Sequence, residues 1–198
     1  MSVQERRARE RAERHRLIIR AARELAEAEG WDAVTTRRLA ERIEYSQPVL
    51  YSHFKGKDAI VEAVAVEGFG ELAVALRKAA EEASTPVGAL SAVVRAYAEF
   101  ADHNPVLYDA MFARTTDLPF GRPDTPEELH AAFAGLLEAL GPLAGGRDPG
   151  TFTELGWSAL HGFVTLHRDG RLPPEHREQR LTMLIETLAG GGGAGSEL

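Results

Sequence analysis

The sequence contains no cysteine, and this absence excludes disulfide bonds, thiolate metal sites, iron–sulfur ligation and a cysteine nucleophile. It also lacks an apolar run of about 18 residues, the length that a transmembrane helix requires. The N-terminus is rich in arginine and acidic residues rather than apolar, so we expect no secretory signal. These absences favour a cytoplasmic protein that does not sense redox state through thiols.

Several sequence motifs of enzyme sites are absent as well. We find no GxSxG nucleophile elbow, no P-loop and no HExxH metal motif. The glycine run Gly190–Gly193 lies near the chain end without a strand and helix around it, so we interpret it as a tail. Glu99 and His103 have the i, i+4 spacing of two metal ligands, but no third ligand converges on them. We therefore predict no enzyme activity, no cofactor and no metal site.

The net charge of −7 is unevenly distributed along the chain. Residues 1–57 contain 13 basic and 9 acidic side chains, a net charge of +4, whereas residues 58–198 carry a net charge of −11. An N-terminal part of opposite sign to the rest is expected when only that part meets a polyanion.

Helical signals dominate the sequence. Apolar residues recur with helical period, for example at Leu90, Val93, Val94 and Tyr97. Four prolines follow good N-cap residues, in Thr85-Pro86, Asn104-Pro105, Thr125-Pro126 and Asp148-Pro149. We predict an all-α fold of about nine helices, over residues 6–29, 36–43, 47–53, 57–83, 86–103, 105–112, 126–140, 149–168 and 174–189. Residues 115–124 should form a loop, and residues 1–5 and the tail 191–198 should be disordered.

Residues 35–54, TTRRLAERIEYSQPVLYSHF, have the pattern of a helix-turn-helix. Thr35 should cap the first short helix, and Ser46 should cap the second, with Pro48 in its first turn. The turn between them comprises about three residues, beginning at Glu44. A short second helix with a polar N-terminal end suits the major groove of DNA, since its dipole favours phosphates and its side chains can bond base edges.

Residues 16–66 resemble the N-terminal DNA-binding domain of the TetR (tetracycline-repressor-type) transcriptional regulators. The similarity rests on the helix ending at Gly30, the TTRRLA stretch, and the run Leu50-Tyr51-Ser52-His53-Phe54 followed by Lys57. The run SQPVLY is especially similar to the recognition helix of tetracycline repressors. The resemblance implies an N-terminal three-helix DNA-binding domain at residues 1–57. A connecting helix at 57–83 and an effector-binding and dimerisation domain at 58–190 would follow.

The resemblance also implies roles for single residues. Arg37 would contact a guanine, and Gln47, Pro48 and Val49 would face base edges. The predicted phosphate-binding residues are Thr36, Tyr51, His53 and Lys57. Two alternatives remain open from the residues alone: Tyr51 as a cap on a small apolar cluster, and His53 as a cation at a helix C-terminus.

Two features of this region lack a settled role. Glu44 occupies a turn position that is usually glycine in the family, and a positive φ there would cost about 1 kcal/mol. The N-terminal arginines alternate with Glu5, Glu10 and Glu13. They form either a solvated, self-paired helix face or a basic arm that follows a DNA groove or backbone.

The acidic part of the chain contains a second resemblance. The segment Trp157–Gly162 is similar to a motif, named for its Trp, His and Gly, in one group of C-terminal domains of the family. Helix 149–168 is apolar on more than one side, so a second subunit is the economical partner for it. We predict a homodimer interface formed by Phe152, Leu155, Leu160, Phe163, Leu181, Leu184, Ile185 and Leu188.

Aromatic residues with a few polar groups predict a small-molecule cavity in the same domain. Its predicted lining comprises Tyr97, Phe100, His103, Tyr108, Met111, Phe112, His130, Phe133, Trp157 and His161. The alternative for each of them, His161 included, is an ordinary place in the core. The expected function is that of a homodimeric regulator, most simply a repressor released from a palindromic DNA operator by an unidentified small-molecule effector. An activator or an effector-independent regulator remains an alternative, and an all-α enzyme or metal-binding protein is a more remote one.

Overall fold

The fold is all-α in the part of the chain that the structure describes. A computed structural model describes residues 2–113 and 118–190, and these contain nine α-helices and no strand. The helices are α1 (Val3–Glu29), α2 (Thr36–Arg42), α3 (Gln47–Tyr51), α4 (Lys57–Glu81), α5 (Pro86–His103), α6 (Pro105–Tyr108), α7 (Glu127–Leu140), α8 (Pro149–Arg168) and α9 (Arg177–Gly190). The predicted all-α class is confirmed.

The helix starts follow the predicted caps only in part. Thr85 and Asp148 accept backbone N–H bonds through their side chains, as an N-cap residue does. The side chain of Asn104 donates to the carbonyl of Phe100 and so satisfies the end of α5. Helix α7 begins at Glu127 with Pro126 at the N-cap position, one residue later than predicted.

The predicted disorder of residues 1–5 is wrong for the described residues, because α1 begins at Val3. Ser2 and Glu5 form a capping box, in which each side chain accepts the other residue's backbone N–H. The sequence contains the pattern for this cap, a serine followed three residues later by a glutamate. The predicted loop is non-helical over 118–124, whereas residues 114–117 and the tail 191–198 lie outside the described residues.

The first of two compact units comprises Met1–Gly68 and Pro105–Asp124. Its core is apolar, with side chains from α1 to α4 that include Ile18, Leu39, Leu50 and Ile60. A π-helical turn, Asp109–Ala113, follows α6 where a longer α-helix was predicted. Gly68 permits close packing there, since a Cβ at this position would lie 2.8 Å from atoms of Leu107 and Met111.

The second unit comprises Phe69–Asn104 and Thr125–Leu198, so α4 contributes residues to both units. Helix α5 packs against α7 and α9, and α7 packs against α8. Gly156 of α8 lies so close to α7 that an added Cβ would be 2.2 Å from Cδ2 of Leu140. The predicted functional division into residues 1–57 and 58–190 stays a prediction. No helix among the described residues has both the length and the apolar character needed to cross a membrane.

Candidate nucleic-acid interface

Helices α2 and α3 are joined by a tight turn that closes α2 with a Schellman motif. Thr35 caps α2 by accepting the N–H of Arg38. At the other end, the N–H of Tyr45 bonds to the carbonyl of Ala40 and the N–H of Glu44 bonds to the carbonyl of Glu41. Glu44 has φ 57°, the one positive φ at a non-glycine residue in the described part of the chain. The predicted left-handed position is therefore present, and this chain places a glutamate in it.

Helix α3 is held by buried side chains near its C-terminal end and is exposed at its N-terminal end. Leu50 and Phe54 are buried in the core of the unit, whereas Gln47 and Pro48 are exposed and Val49 is half-buried. Ser46 occupies the N-cap position with extended backbone, but its side chain makes no capping hydrogen bond. The first turn of α3 thus presents three side chains of different chemistry on a fixed scaffold.

Thr36 and Arg37 lie at the start of α2, and Tyr51 lies at the C-terminal end of α3. Arg37 is 78% exposed, and its Nε lies 2.9 Å from a carboxylate oxygen of Glu41. The hydroxyl oxygens of Thr36 and Tyr51 are 3.4 Å apart, which links the start of α2 to the end of α3. Tyr51 is 55% exposed. The predicted DNA contacts of Thr36, Arg37 and Tyr51 stay predictions.

Lys57 and His53 are less open than predicted. The ammonium group of Lys57 donates to the carbonyl of Trp31 at 2.7 Å, and the side chain is half-buried. His53 has a buried Nδ1 with no hydrogen-bond partner in the described structure. Neither side chain is free to reach a phosphate without first moving, and their predicted phosphate contacts stay predictions.

His53 lies in a cluster with His15 and Phe54. The His15 ring stacks on Phe54 with a centroid distance of 4.4 Å and lies 6.1 Å from the His53 ring. Burial lowers the pKa of both histidines, and the charge of Arg11 lowers the pKa of each further. The positive potential around α3 therefore includes the arginines of α1.

Arg11 and Tyr45 lie beside α3 and were not among the residues predicted to bind DNA. Arg11 donates through Nη2 to the carbonyl of Ser52, 3.1 Å away, at the C-terminal end of α3. Tyr45 is exposed in the turn before α3. The sequence shows that arginines recur along α1, but only the position of α1 beside α3 shows that Arg11 is an arginine that faces α3.

The second unit contains a chain of polar groups between α5 and α8. Trp157 donates through Nε1 to the Tyr97 hydroxyl at 3.1 Å, and that hydroxyl lies 3.5 Å from Nδ1 of His161. Nε2 of His161 is 3.5 Å from the hydroxyl of Thr165. Burial lowers the pKa of His161, so the neutral imidazole is favoured. Such groups can satisfy one another or orient a bound molecule.

Two of the other predicted cavity residues, Phe100 and His103, line an open groove of about 440 Å³ between α4 and α5. In the second unit Phe100 is buried and Phe133 is half-buried, whereas His103 and His130 are exposed and so do not line an enclosed cavity. His103 accepts or donates at Nδ1 with the carbonyl of Glu99, 2.8 Å away. The remaining three, Tyr108, Met111 and Phe112, belong to the first unit. Among the described residues no group of three or more His, Cys, Asp or Glu side chains is placed to hold a metal ion.

The predicted dimer residues differ in exposure. Leu155 is 65% exposed, and Phe163 and Leu184 are half-buried. The core of the second unit already buries Phe152, Leu160, Leu181, Ile185 and Leu188. Two residues that were not predicted, Leu166 and Met183, expose large apolar side chains on α8 and α9.

Two family matches cover most of the chain. Residues 18–64 match the bacterial regulatory proteins of the tetR family, and residues 90–188 match the family described as tetracyclin repressor-like, C-terminal domain. The segment Trp157–Gly162 lies within the second match.

Two relatives agree with these matches. The HTH-type transcriptional regulator Rv0681 of Mycobacterium tuberculosis is 28% identical over 178 residues, which are 88% of this chain and 79% of that protein. The class C tetracycline repressor protein of Escherichia coli is 52% identical over 48 residues, 24% of this chain and 22% of the repressor.

Two solved structures share the fold. A protein of unknown function from Rhodococcus sp. RHA1 has a TM-score of 0.75 and 24% identity, over 89% of this chain and 94% of that one. The regulator FadR of Bacillus subtilis has a TM-score of 0.63 and 16% identity, over 88% and 97%. The chain therefore belongs to the TetR family of transcriptional regulators and carries their helix-turn-helix DNA-binding domain.

Proposed function

We propose that this protein is a homodimeric, ligand-responsive regulator, most simply a repressor that a small molecule releases from a palindromic operator in the cytoplasm. The observation that carries the proposal is the first turn of α3, whose polar and apolar side chains are exposed on a buried scaffold. A helix held in this way fits the major groove with its N-terminal residues towards the bases.

The residues of α3 and of the start of α2 divide into base readers and backbone contacts. Gln47 bonds base edges, and Pro48 and Val49 contact thymine methyl groups. Arg37 reaches a guanine after it exchanges its carboxylate partner Glu41 for the base. Tyr51 bonds a phosphate through its exposed hydroxyl and fixes the register.

An exposed apolar stripe on α8 supports self-association. Leu155, Ala159, Gly162 and Leu166 follow one another at i, i+4, i+7 and i+11, so they share a helix face. Leu155 and Leu166 are exposed, and a Cβ added at Gly162 would meet no atom within 4 Å. Large apolar groups around a small central residue let a second copy of α8 approach closely. This stripe, rather than the buried Phe152 or Leu160, would form the contact.

Replacement of Leu155 by Glu tests the dimer. We expect Leu155→Glu to shift the protein from dimer to monomer in sedimentation velocity and to abolish binding to a palindromic site, because two charges would be buried at the two-fold axis. Val74→Glu is the matched control, since Val74 is 63% exposed on α4 and lies outside the stripe. A dimer that survives Leu155→Glu unchanged would contradict this interface.

The effector is proposed to bind in the second unit near Tyr97, Trp157 and His161. Their polar atoms form a chain within a largely apolar helix bundle, as a small-molecule site requires. The solved FadR structure of Bacillus subtilis contains stearoyl-CoA, so the fold accommodates effectors. Binding there would tilt α4 and alter the spacing of the two recognition helices, which lowers operator affinity through geometric mismatch.

Selection of DNA from a random or genomic library tests the function. We expect the recovered sites to be palindromic, with half-site centres roughly 34–36 Å apart or slightly more. The genes beside them then suggest candidate effectors, and a saturating effector should release the DNA. Recovery of sequences without a shared palindrome would overturn the proposal. Reporter expression with and without the gene separates a repressor from an activator.

A further inference from the structure

The N-terminal half of α1 extends beyond the core of the first unit. Every residue from Ser2 to Glu13 is exposed, and the first buried residue of the helix is Ile18. Residues 3–13 alone form about 16 Å of helix that contributes no side chain to a core. A capping box at Ser2 nevertheless holds its first turn. Such an exposed, highly charged segment needs an explanation other than packing.

The arginines of this segment fall into two sets on opposite sides of α1. Arg7, Arg11 and Arg14 follow one another at i, i+4 and i+7, so they share one face. The other set consists of Arg6, Arg9 and Arg16, with Glu5 and Glu13 on the same side of the helix. The first set therefore concentrates positive charge, and the second is interspersed with carboxylates.

The first set lines a groove that α1 shares with the helix-turn-helix. The groove has a volume of about 510 Å³, and its other wall includes Tyr45, Val49 and Ser52. Arg11 bonds the carbonyl of Ser52 across the groove and so ties the arm to the end of α3.

One acidic residue also lines the groove. Glu10 has a carboxylate oxygen 3.8 Å from Nε of Arg6, which lies in the opposite set. The groove therefore keeps a net positive charge. The lowered pKa values of His15 and His53, caused first by burial and then by the charge of Arg11, agree with a positive potential there.

We propose that Arg7, Arg11 and Arg14 form a phosphate track that binds the DNA backbone alongside the base pairs read by α3. This inference rests on the proposed DNA-binding function and extends it to α1. The occupant is a phosphodiester backbone because the groove is continuous with the recognition helix through Val49 and Ser52, and regularly spaced guanidinium groups match a line of phosphates. The contacts add affinity without adding sequence preference.

The test compares two triple variants with equal charge change. Arg7→Gln/Arg11→Gln/Arg14→Gln removes the track, and Arg6→Gln/Arg9→Gln/Arg16→Gln removes the opposite set. Each is titrated with the library-selected duplex over a range of salt concentrations. We expect the track variant to reduce the slope of log Kobs against log [salt] by about 2.7 per protomer, since each lost phosphate contact contributes about 0.9. The control variant should change the slope much less.

Hydroxyl-radical footprinting completes the experiment. The track variant should lose protection of backbone positions beside the α3 site and keep the base preference of the native chain. Equal effects of the two triple variants would show a general charge effect and would overturn the inference. An altered base preference in the track variant would overturn it as well, because it would indicate that α1 reads bases. Arg7→Gln/Arg14→Gln keeps the Arg11 bond to Ser52 and should still lower the slope, by about 1.8 per protomer. If the native chain selects no DNA site, the proposed function fails. If the native chain selects a site and the track variants bind that site with the native salt dependence, the inference about the track fails and the proposed function stands.

Discussion

The turn between α2 and α3 permits a sharp test of how this sequence builds its helix-turn-helix. Glu44 occupies the C′ position of a Schellman motif with φ 57°, in the left-handed region. A residue with a Cβ is strained there, whereas glycine is not. Glu44 is also exposed, and its side chain is not part of the turn's hydrogen bonds. We therefore expect Glu44→Gly to stabilise the protein.

The magnitude follows from two opposing effects. Removal of the Cβ relieves about 1–2 kcal/mol of left-handed strain. Glycine makes the unfolded chain more flexible, which costs about 0.4–1 kcal/mol. The net gain in the free energy of unfolding should be about 0.5–1 kcal/mol. Glu44→Ala removes the same carboxylate but keeps the Cβ, so it isolates the backbone effect.

Urea denaturation followed by circular dichroism measures the difference. We expect Glu44→Gly to raise the midpoint at unchanged m-value, and Glu44→Ala to remain within about 0.5 kcal/mol of the native chain. Affinity for the selected operator should change little, because the glycine adopts the same turn. Equal stabilisation by the two variants would attribute the effect to charge and refute the argument from φ. A Glu44→Gly variant less stable than the native chain would refute it as well.

Two further predictions concern packing and pH. Gly156→Ala should cost about 1–3 kcal/mol more than Gly70→Ala in urea denaturation, because the added Cβ overlaps α7 at the first position and meets only a side-chain carbon of Glu128, 3.4 Å away, at the second. Both glycines lie inside helices, so helix propensity cancels between them, and equal stabilities would contradict the tight α7–α8 contact. Burial holds the pKa of His15 and His53 below the ordinary value of about 6.5, so the stability they contribute is complete above that pH and is lost as the pH falls towards their folded values. The urea midpoint should therefore decrease as the pH is lowered from about 7 to about 5, and the decrease should be smaller in His15→Gln/His53→Gln. A double variant with the same pH profile as the native chain would contradict this role of the two histidines.

The sequence alone predicted the nine α-helices of the described residues and the unusual turn position at Glu44. Periodicity and capping residues predicted α5 and α8 to the residue, since Thr85 and Asp148 carry strong local signals. Local signals were less exact for α6, which was predicted over 105–112 but gives way to a π-helical turn at Asp109. Helix α7 starts one residue after its proline.

The burial of individual side chains was harder to predict from the sequence than the positions of the helices. Apolar residues on α8 looked alike in sequence, but Phe152 and Leu160 are buried in the second unit and Leu155 is exposed. The difference arises from which neighbours α7 and α9 place against each side of α8, and that is tertiary information. In the same way, the spacing of the α1 arginines was visible, whereas the contact of Arg11 with Ser52 was not.

The proposed function depends on base reading by the exposed first turn of α3. The most direct measurement is the affinity of the native chain and of Gln47→Ala for a panel of single-base variants of the selected operator. We expect Gln47→Ala to lose about 1–3 kcal/mol of discrimination at one symmetry-related pair of positions and to keep the native preference elsewhere. A uniform loss of affinity at every position, with all preferences intact, would contradict the assignment of α3 as the reading helix.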